Sequence, residues 1–225
     1  MDSISQHLHR SPKLGLYYRD IRTILHEERK KRKQFYEDVR EDEKAEFING
    51  EVTVHSPVRI EHNITGKFLL ELLDMHVRLK GLGFTGYEKM MVSLTRNDYE
   101  PDVCFWNKTK SKKFRLKQTQ FPAPDFIAEV LSPSTEENDR TVKFEDYAAH
   151  GVREYWIIDP VSQTVEQYIL KKDEYVLHIK ADSGILKSKA VKGFVIPLAA
   201  LFDESENLAA LREIMTEKTD RQCSK

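Results

Sequence analysis

Residues 124–135, PDFIAEVLSPST, decide how the rest of the chain is read. Within them "FIAEVL" has the length and apolar content of a buried strand, entered after a proline and stopped by Ser132-Pro133. One residue does not fit that reading, Glu129. A lone carboxylate inside an apolar strand costs roughly several kcal/mol unless something offsets its charge. The strand therefore implies a compensating group elsewhere in the chain.

Downstream, "EENDRTVKFEDYAAHG" reads as a helix closed by Gly151, and "REYWIID" as a strand ending at Asp159-Pro160. "TVEQYIL" and "EYVLHIK" read as an antiparallel pair, and "GFVIPLAALF" and "ENLAALREIM" as a short strand and a helix. Upstream, "NKTKSKKFRLKQTQFPAP" reads as a polar, Lys-rich loop, while "GFTGYEKMMVSL" and "YEPDVCFW" read as strands. "EHNITGKFLLELLDMHVRLKG" puts Ile64, Phe68, Leu69, Leu72, Leu73 and Val77 at helical spacing, with Gly81 as its stop. Asn49-Gly50 in "AEFINGEVTVHSP" is a hairpin signal. Residues 17–44 lack Gly and Pro and predict one or two charged helices, preceded by a loosely held leader to about residue 15.

This order predicts a mixed α/β fold, a central mixed β-sheet flanked by helices with an N-terminal helical extension. A chain of 225 residues suits one well-buried domain. We expect residues 1–33 as the extension, partly helical or disordered, and 34–225 as the domain.

Composition narrows the function classes only modestly. A net charge of −1 gives no global electrostatic argument for nucleic acid, although "EERKKRKQ" and "NKTKSKKFRLKQ" are locally basic and "EDVREDEKAE" is acidic. No apolar run approaches a membrane span, and no secretory leader is visible, so the cytoplasm is the default location. Cys104 and Cys223 are unpaired in any motif, which argues against a disulfide framework and a thiolate zinc site. "HEERK" lacks the second histidine of a zinc-protease helix.

Three ionisable residues stand at strategic places: Asp102 at a strand entrance after Pro101, Glu129 in the neighbouring strand, and Lys143 on the following helix. Two carboxylates brought together repel, so a site holding both calls for a cation. Mg²⁺ (or Mn²⁺) takes such oxygen ligands, and a nearby ammonium can orient water or stabilise charge on a phosphate. Taken singly, Asp102 reads as a turn carboxylate, Lys143 as a surface lysine and His62 as a helix-terminus hydrogen bonder. Tyr155 and Trp156 read as core or interface aromatics.

The ordered set "EFINGEV", "SP", "EHN", "PDVCFW", "PDFIAEVLSPST" and "DRTVKFEDYAAHGVREYWIID" resembles the Uma family of endonucleases, within the PD-(D/E)XK, restriction-endonuclease-like superfamily. The resemblance covers roughly residues 34–200 and implies a restriction-endonuclease-like core with Mg²⁺-dependent hydrolysis of DNA phosphodiester bonds. It assigns Asp102 and Glu129 as metal-binding and catalytic. Leu131 stands where the superfamily motif has its lysine, and Lys143 matches the position to which that lysine moves in the Uma family. Glu46 and His62 match the family pattern as further catalytic candidates, with Glu51 and Tyr147 ranked below them. Lys112, Lys113, Arg115 and Lys117 are candidates for positioning the nucleic-acid backbone.

The expected partner is DNA, with RNA left open and no membrane. The alternative functions are a nuclease-fold protein that binds nucleic acid or a protein without cutting, and an oligomer-forming domain such as a homodimer.

Overall fold

The computed structural model describes residues 3–40 and 42–216. It begins with two helices, α1 (Ser3–Arg10) and α2 (Leu14–Asp38), followed by the hairpin β1 (Ala45–Ile48) and β2 (Glu51–Val54). Next come α3 (Ile60–Lys80), β3 (Gly83–Tyr87), β4 (Met91–Ser93), β5 (Asp98–Tyr99) and β6 (Val103–Asn107). The short α4 (Lys108–Ser111) and β7 (Gln120–Phe121) lead into β8 (Phe126–Val130), α5 (Glu136–Arg140) and α6 (Val142–Ala149). The chain continues as β9 (Glu154–Asp159), β10 (Thr164–Lys171), β11 (Glu174–Ala181), β12 (Ile185–Lys187) and β13 (Val195–Pro197). A 3-10 turn at Leu198–Leu201 and helix α7 (Glu204–Thr216) follow.

The central sheet is six-stranded and mixed, in the order β11-β10-β9-β8-β6-β3, with β8 and β9 parallel and the other pairs antiparallel. A five-stranded sheet runs β2-β1-β5-β4-β7, and β12 pairs with β13. Side chains alternate across the pleat, so each central strand feeds two cores. Phe126, Ala128 and Val130 of β8 pack with Leu69, Leu72, Leu73 and Val77 of α3 and with Ile214 of α7. Ile127 and Leu131 face the other way, toward Tyr147 of α6 and Val92 and Tyr99 of the second sheet. Glu129 has their parity and points between the sheets, toward α6.

Helix α3 ends as its sequence predicts: Gly81 adopts the left-handed conformation, φ 61°, ψ 38°, and caps the last carbonyls. Of its predicted apolar face only Ile64 is exposed. Trp156 and Tyr155 are core residues on opposite faces of β9. Cys104 is a buried free thiol, and Cys223 lies outside the described residues.

Several predicted elements are corrected. The leader is helical over Ser3–Arg10, with His7, His9 and Arg10 in the last turn, where cations complement the helix dipole. Helix α2 is a single element over Leu14–Asp38, within the one or two helices expected there. "GFTGYEKMMVSL" is two strands in different sheets, because Glu88 turns the chain with φ 35°. "YEPDVCFW" likewise divides at Pro101, which has no N–H to give to a ladder. The loop 107–124 contains α4, capped by the Asn107 side chain, and β7. The helix predicted over 136–151 is α5 and α6, broken at Thr141, whose hydroxyl donates to Glu137 O at 2.6 Å. The strand β12 carries no clear alternation and was not expected.

Candidate active site at the ends of β6 and β8

The register of β6 on β8 pairs Val103 with Ala128. Continued by one residue, it sets Asp102 against Glu129. Backbone amides then tie the two carboxylates together: Asp102 N donates to Glu129 Oε2 at 3.2 Å, and Val130 N donates to Asp102 Oδ2 at 2.9 Å. Both side chains are buried.

Helix α6 supplies the next two groups from successive turns. Lys143 Nζ donates to Glu129 Oε1 at 3.2 Å and Tyr147 Oη donates to the same oxygen at 2.9 Å. The Lys143 ammonium also lies 3.1 Å from Glu46 Oε1 and 3.0 Å from Asp139 Oδ1. With its side chain only 2% exposed, Lys143 is enclosed by three carboxylates. Glu46 comes from β1, where its Oε1 also accepts from Glu100 N at 2.9 Å. His55 Nε2 lies 3.1 Å from its other oxygen.

The outer side of the pair faces Lys44 and His62. Lys44 Nζ donates to Asp102 Oδ1 at 2.7 Å, and His62, in the first turn of α3, places Nε2 3.3 Å from Asp102 Oδ2. These groups line a solvent-open cleft of about 500 Å³, together with Ser132, Ser134 and Thr135 from the segment after β8.

Burial and charge set the protonation of the cluster. Burial pushes the Glu129 carboxyl up to about 8, aided by Asp139, Asp102 and Glu46 and opposed by Lys143. Burial raises Asp139 as well. At Glu46 burial is outweighed by Lys143 and His55, which hold the carboxyl down at about 2. At Asp102 it is outweighed by Lys44 and His62, and the carboxyl stays well below the usual range. Burial opposes charge on Lys143, but Asp139, Glu129 and Glu46 prevail and keep it an ammonium.

The donor set is oxygen-rich, the kind of ligand that a hard divalent cation takes. Four carboxyl groups, Glu46, Asp102, Glu129 and Asp139, face the two ammonium groups of Lys44 and Lys143 and the imidazoles of His55 and His62. Glu46 Oε2 and Asp139 Oδ1 are buried without a hydrogen-bond partner, although His55 and Lys143 lie close to them. Among the described residues no group of three or more His, Cys, Asp or Glu side chains is arranged to hold a metal ion. A cation here would take the Asp102–Glu129 pair and complete its shell with water, as Mg²⁺ commonly does.

The structure thus brings together Asp102, Glu129, Lys143, Glu46, His62 and Tyr147. Glu51 is exposed on β2 and outside the cluster. Lys112, Lys113, Arg115 and Lys117 follow the opposite end of β6 from Asp102, separated from it by that strand's five residues. Sequence reasoning missed Lys44, His55, Asp139 and Glu100. Only Asp139 left a readable signal, four residues before Lys143 and so on the same helical side. Glu100, whose carboxyl burial pushes up to about 7, accepts from Ala45 N at 3.1 Å and supports the β1 edge of the cluster.

Comparison with known proteins agrees with this architecture. The Uma2 family model, described as "Putative restriction endonuclease", matches residues 32–199. Among solved structures, one titled as a "putative nuclease belonging to DUF820" from Anabaena variabilis superposes with a TM-score of 0.65 at 17% identity. The match covers 79% of this chain and 96% of that one, a likeness of fold. No curated protein matches. The family match spans most of the chain and includes Glu46, His62, Asp102, Glu129 and Lys143, and the chain belongs to the Uma2 family.

Proposed function

We propose that the chain is a divalent-cation-dependent endonuclease that hydrolyses phosphodiester bonds of DNA in the Asp102–Glu129 cleft. The observation that carries this reading is the juxtaposition of two buried carboxylates at adjacent strand ends, in a cleft where carboxyl groups outnumber ammonium groups. Asp102 and Glu129 would hold Mg²⁺ or Mn²⁺. Such a cation supplies Lewis-acid polarisation of a phosphate and a lowered pKa for water.

The remaining roles follow from exposure and partners. Lys143 is sealed among Glu46, Glu129 and Asp139, which supports a positioning role, fixing Glu129 against Asp102, over the direct steering of water. Tyr147 fixes the same Glu129 oxygen, and burial raises its own hydroxyl well above the usual range, so it stays a donor. Lys44 is the ammonium nearer to solvent, its side chain 19% exposed. It is the group placed to neutralise charge developing on a phosphate in the cleft. His62 orients the second Asp102 oxygen.

The test is supercoiled plasmid incubated with Mg²⁺, with EDTA, and with Asp102→Asn and Glu129→Gln chains. Nicking only by the wild-type chain with Mg²⁺ supports the reading, and equal nicking by all three chains sinks it. The enclosure of Lys143 favours one second reading, a nuclease fold that binds without cutting. Retained DNA binding with no cleavage over a range of divalent metals would select it.

A further inference from the structure

The basic segment 107–124 contains six Lys or Arg residues and no Asp or Glu. Its tip is an ordered turn. Gln118 N donates to Arg115 O at 3.0 Å, and Arg115 N donates to Gln118 Oε1 at 3.3 Å. Phe114 anchors this turn from below, its ring centroid 5.1 Å from Phe121 and 5.5 Å from Trp106, both in edge-on geometry. The turn holds Leu116 fully in solvent, with a relative exposure of 108%, between Arg115 and Lys117. A leucine displayed this way gains nothing for the fold.

Beside the turn lies a groove of about 590 Å³, floored by Phe84, Phe114, Phe121 and the backbone of Gly83. Phe84 is 43% exposed there, although its ring meets Phe114 edge-on at 6.0 Å. Lys112 and Arg115 line the groove, with Lys113 and Lys117 beside them in the chain. Among the described residues none of these four cations has an ion-pair partner.

From these features we infer a second binding site, separate from the carboxylate cleft, that takes a single-stranded nucleic-acid segment. The unpaired cations complement a polyanion. The half-exposed Phe84 ring and the Leu116 side chain need a ligand that also offers flat apolar faces. Unstacked bases between phosphates supply both, whereas an acidic peptide satisfies only the rim. The strand β6 lies between this groove and Asp102, a span of about 17 Å at ~3.3 Å per residue. Binding here therefore does not depend on the cleavage reading, and it is measured without divalent cations.

The experiment is fluorescence anisotropy of a labelled deoxythymidine 12-mer (about twelve nucleotides, enough for one OB-sized site) in EDTA. Salt is varied from about 50 to 200 mM. The combined Lys112→Gln, Lys113→Gln, Arg115→Gln, Lys117→Gln chain binds at least about tenfold more weakly, and its log–log salt slope is shallower by about 2 to 3, at ~0.7 per lost phosphate contact. Leu116→Ser, at a fully exposed position, weakens binding about fivefold and leaves the slope unchanged, the size of one lost aliphatic contact. Circular dichroism shows both chains folded. Absence of binding by the wild-type chain overturns the inference, as does binding that is equal in all three chains. Preferential binding of duplex DNA, phosphatidylserine vesicles or a polyglutamate peptide also overturns it, in favour of that partner.

Discussion

The Lys143 ammonium donates to Glu129 Oε1 at 3.2 Å, across fourteen residues of sequence, with both side chains almost sealed from water. That bond answers the charge problem raised by a glutamate inside a core strand. Glu129 is compensated by an ammonium, a tyrosine hydroxyl and a backbone amide. The same Lys143 is shared with Glu46 and Asp139, so its charge is divided among three acceptors.

Removing that ammonium leaves the carboxyl groups of Glu46, Glu129 and Asp139 facing one another in a buried space without their shared donor. Lys143→Ala is expected to lower folding stability by about 3–5 kcal/mol, the usual cost of stripping one partner from a buried ionic cluster. Urea unfolding at neutral pH measures it. A loss below about 1 kcal/mol, the size of a surface pair, would show that Lys143 is not the counter-ion of the cluster.

Lys44 behaves differently on the same account, because it is closer to solvent and touches only the outer carboxylate. Lys44→Met should leave the unfolding midpoint much nearer to wild type than Lys143→Ala does. Cleavage should nevertheless fall by about 10²–10³, as for other lost donors to developing charge. If Lys143→Arg abolished cleavage while Lys44→Met did not, the two lysines would have to exchange roles.

Helix α2 is held to the core by Arg32, whose guanidinium bonds both oxygens of the fully buried Asp98, with the Tyr36 hydroxyl beside it. Arg32→Ala strands that carboxylate, an expected loss of about 3–5 kcal/mol. Hydrogen exchange should then show faster exchange over residues 28–38. Unchanged protection would mean that the helix docks through Phe35 and its apolar contacts alone.

Away from the cleft, Glu166 provides a pH test. Burial alone would raise its carboxyl, but Arg140, Tyr168 and Lys180 outweigh burial and hold it down at about 2. Arg140 Nη1 and Lys180 Nζ donate to it at 3.1 and 3.0 Å. A depressed carboxylate binds fewer protons folded than unfolded. Its contribution is therefore complete above the unfolded value of about 4.3 and is lost as pH falls toward the folded value. Glu166→Gln should lower stability at neutral pH and flatten the acid limb between about pH 4.5 and 2. Parallel acid limbs for the two chains would contradict this.

One part of the site is legible from its residue alone: Glu129 is the wrong type for an apolar strand. Asp102 after Pro101 reads alone as an ordinary turn carboxylate, and the order of family motifs is what singled out Asp102, Lys143, Glu46 and His62. Lys44, His55 and Glu100 left no such mark. Each is an ordinary residue at a strand edge whose partner arrives only through tertiary pairing, as when Lys44 meets Asp102 across fifty-eight residues. The fold errors have local causes of the same kind. A positive φ at Glu88 and a proline at 101 each cut one apolar run into strands of two sheets, and periodicity alone does not register a cut.

The central claim is that Asp102 and Glu129 jointly hold a divalent cation. Calorimetric titration of Mn²⁺ into the wild-type, Asp102→Asn and Glu129→Gln chains tests it most directly, because it requires no substrate. The account predicts saturable binding near one ion per chain in the wild type, weakened at least about tenfold in each variant, since losing a direct ligand costs no less than losing an outer-shell partner. Equal Mn²⁺ binding in all three chains, or none in the wild type, would contradict it.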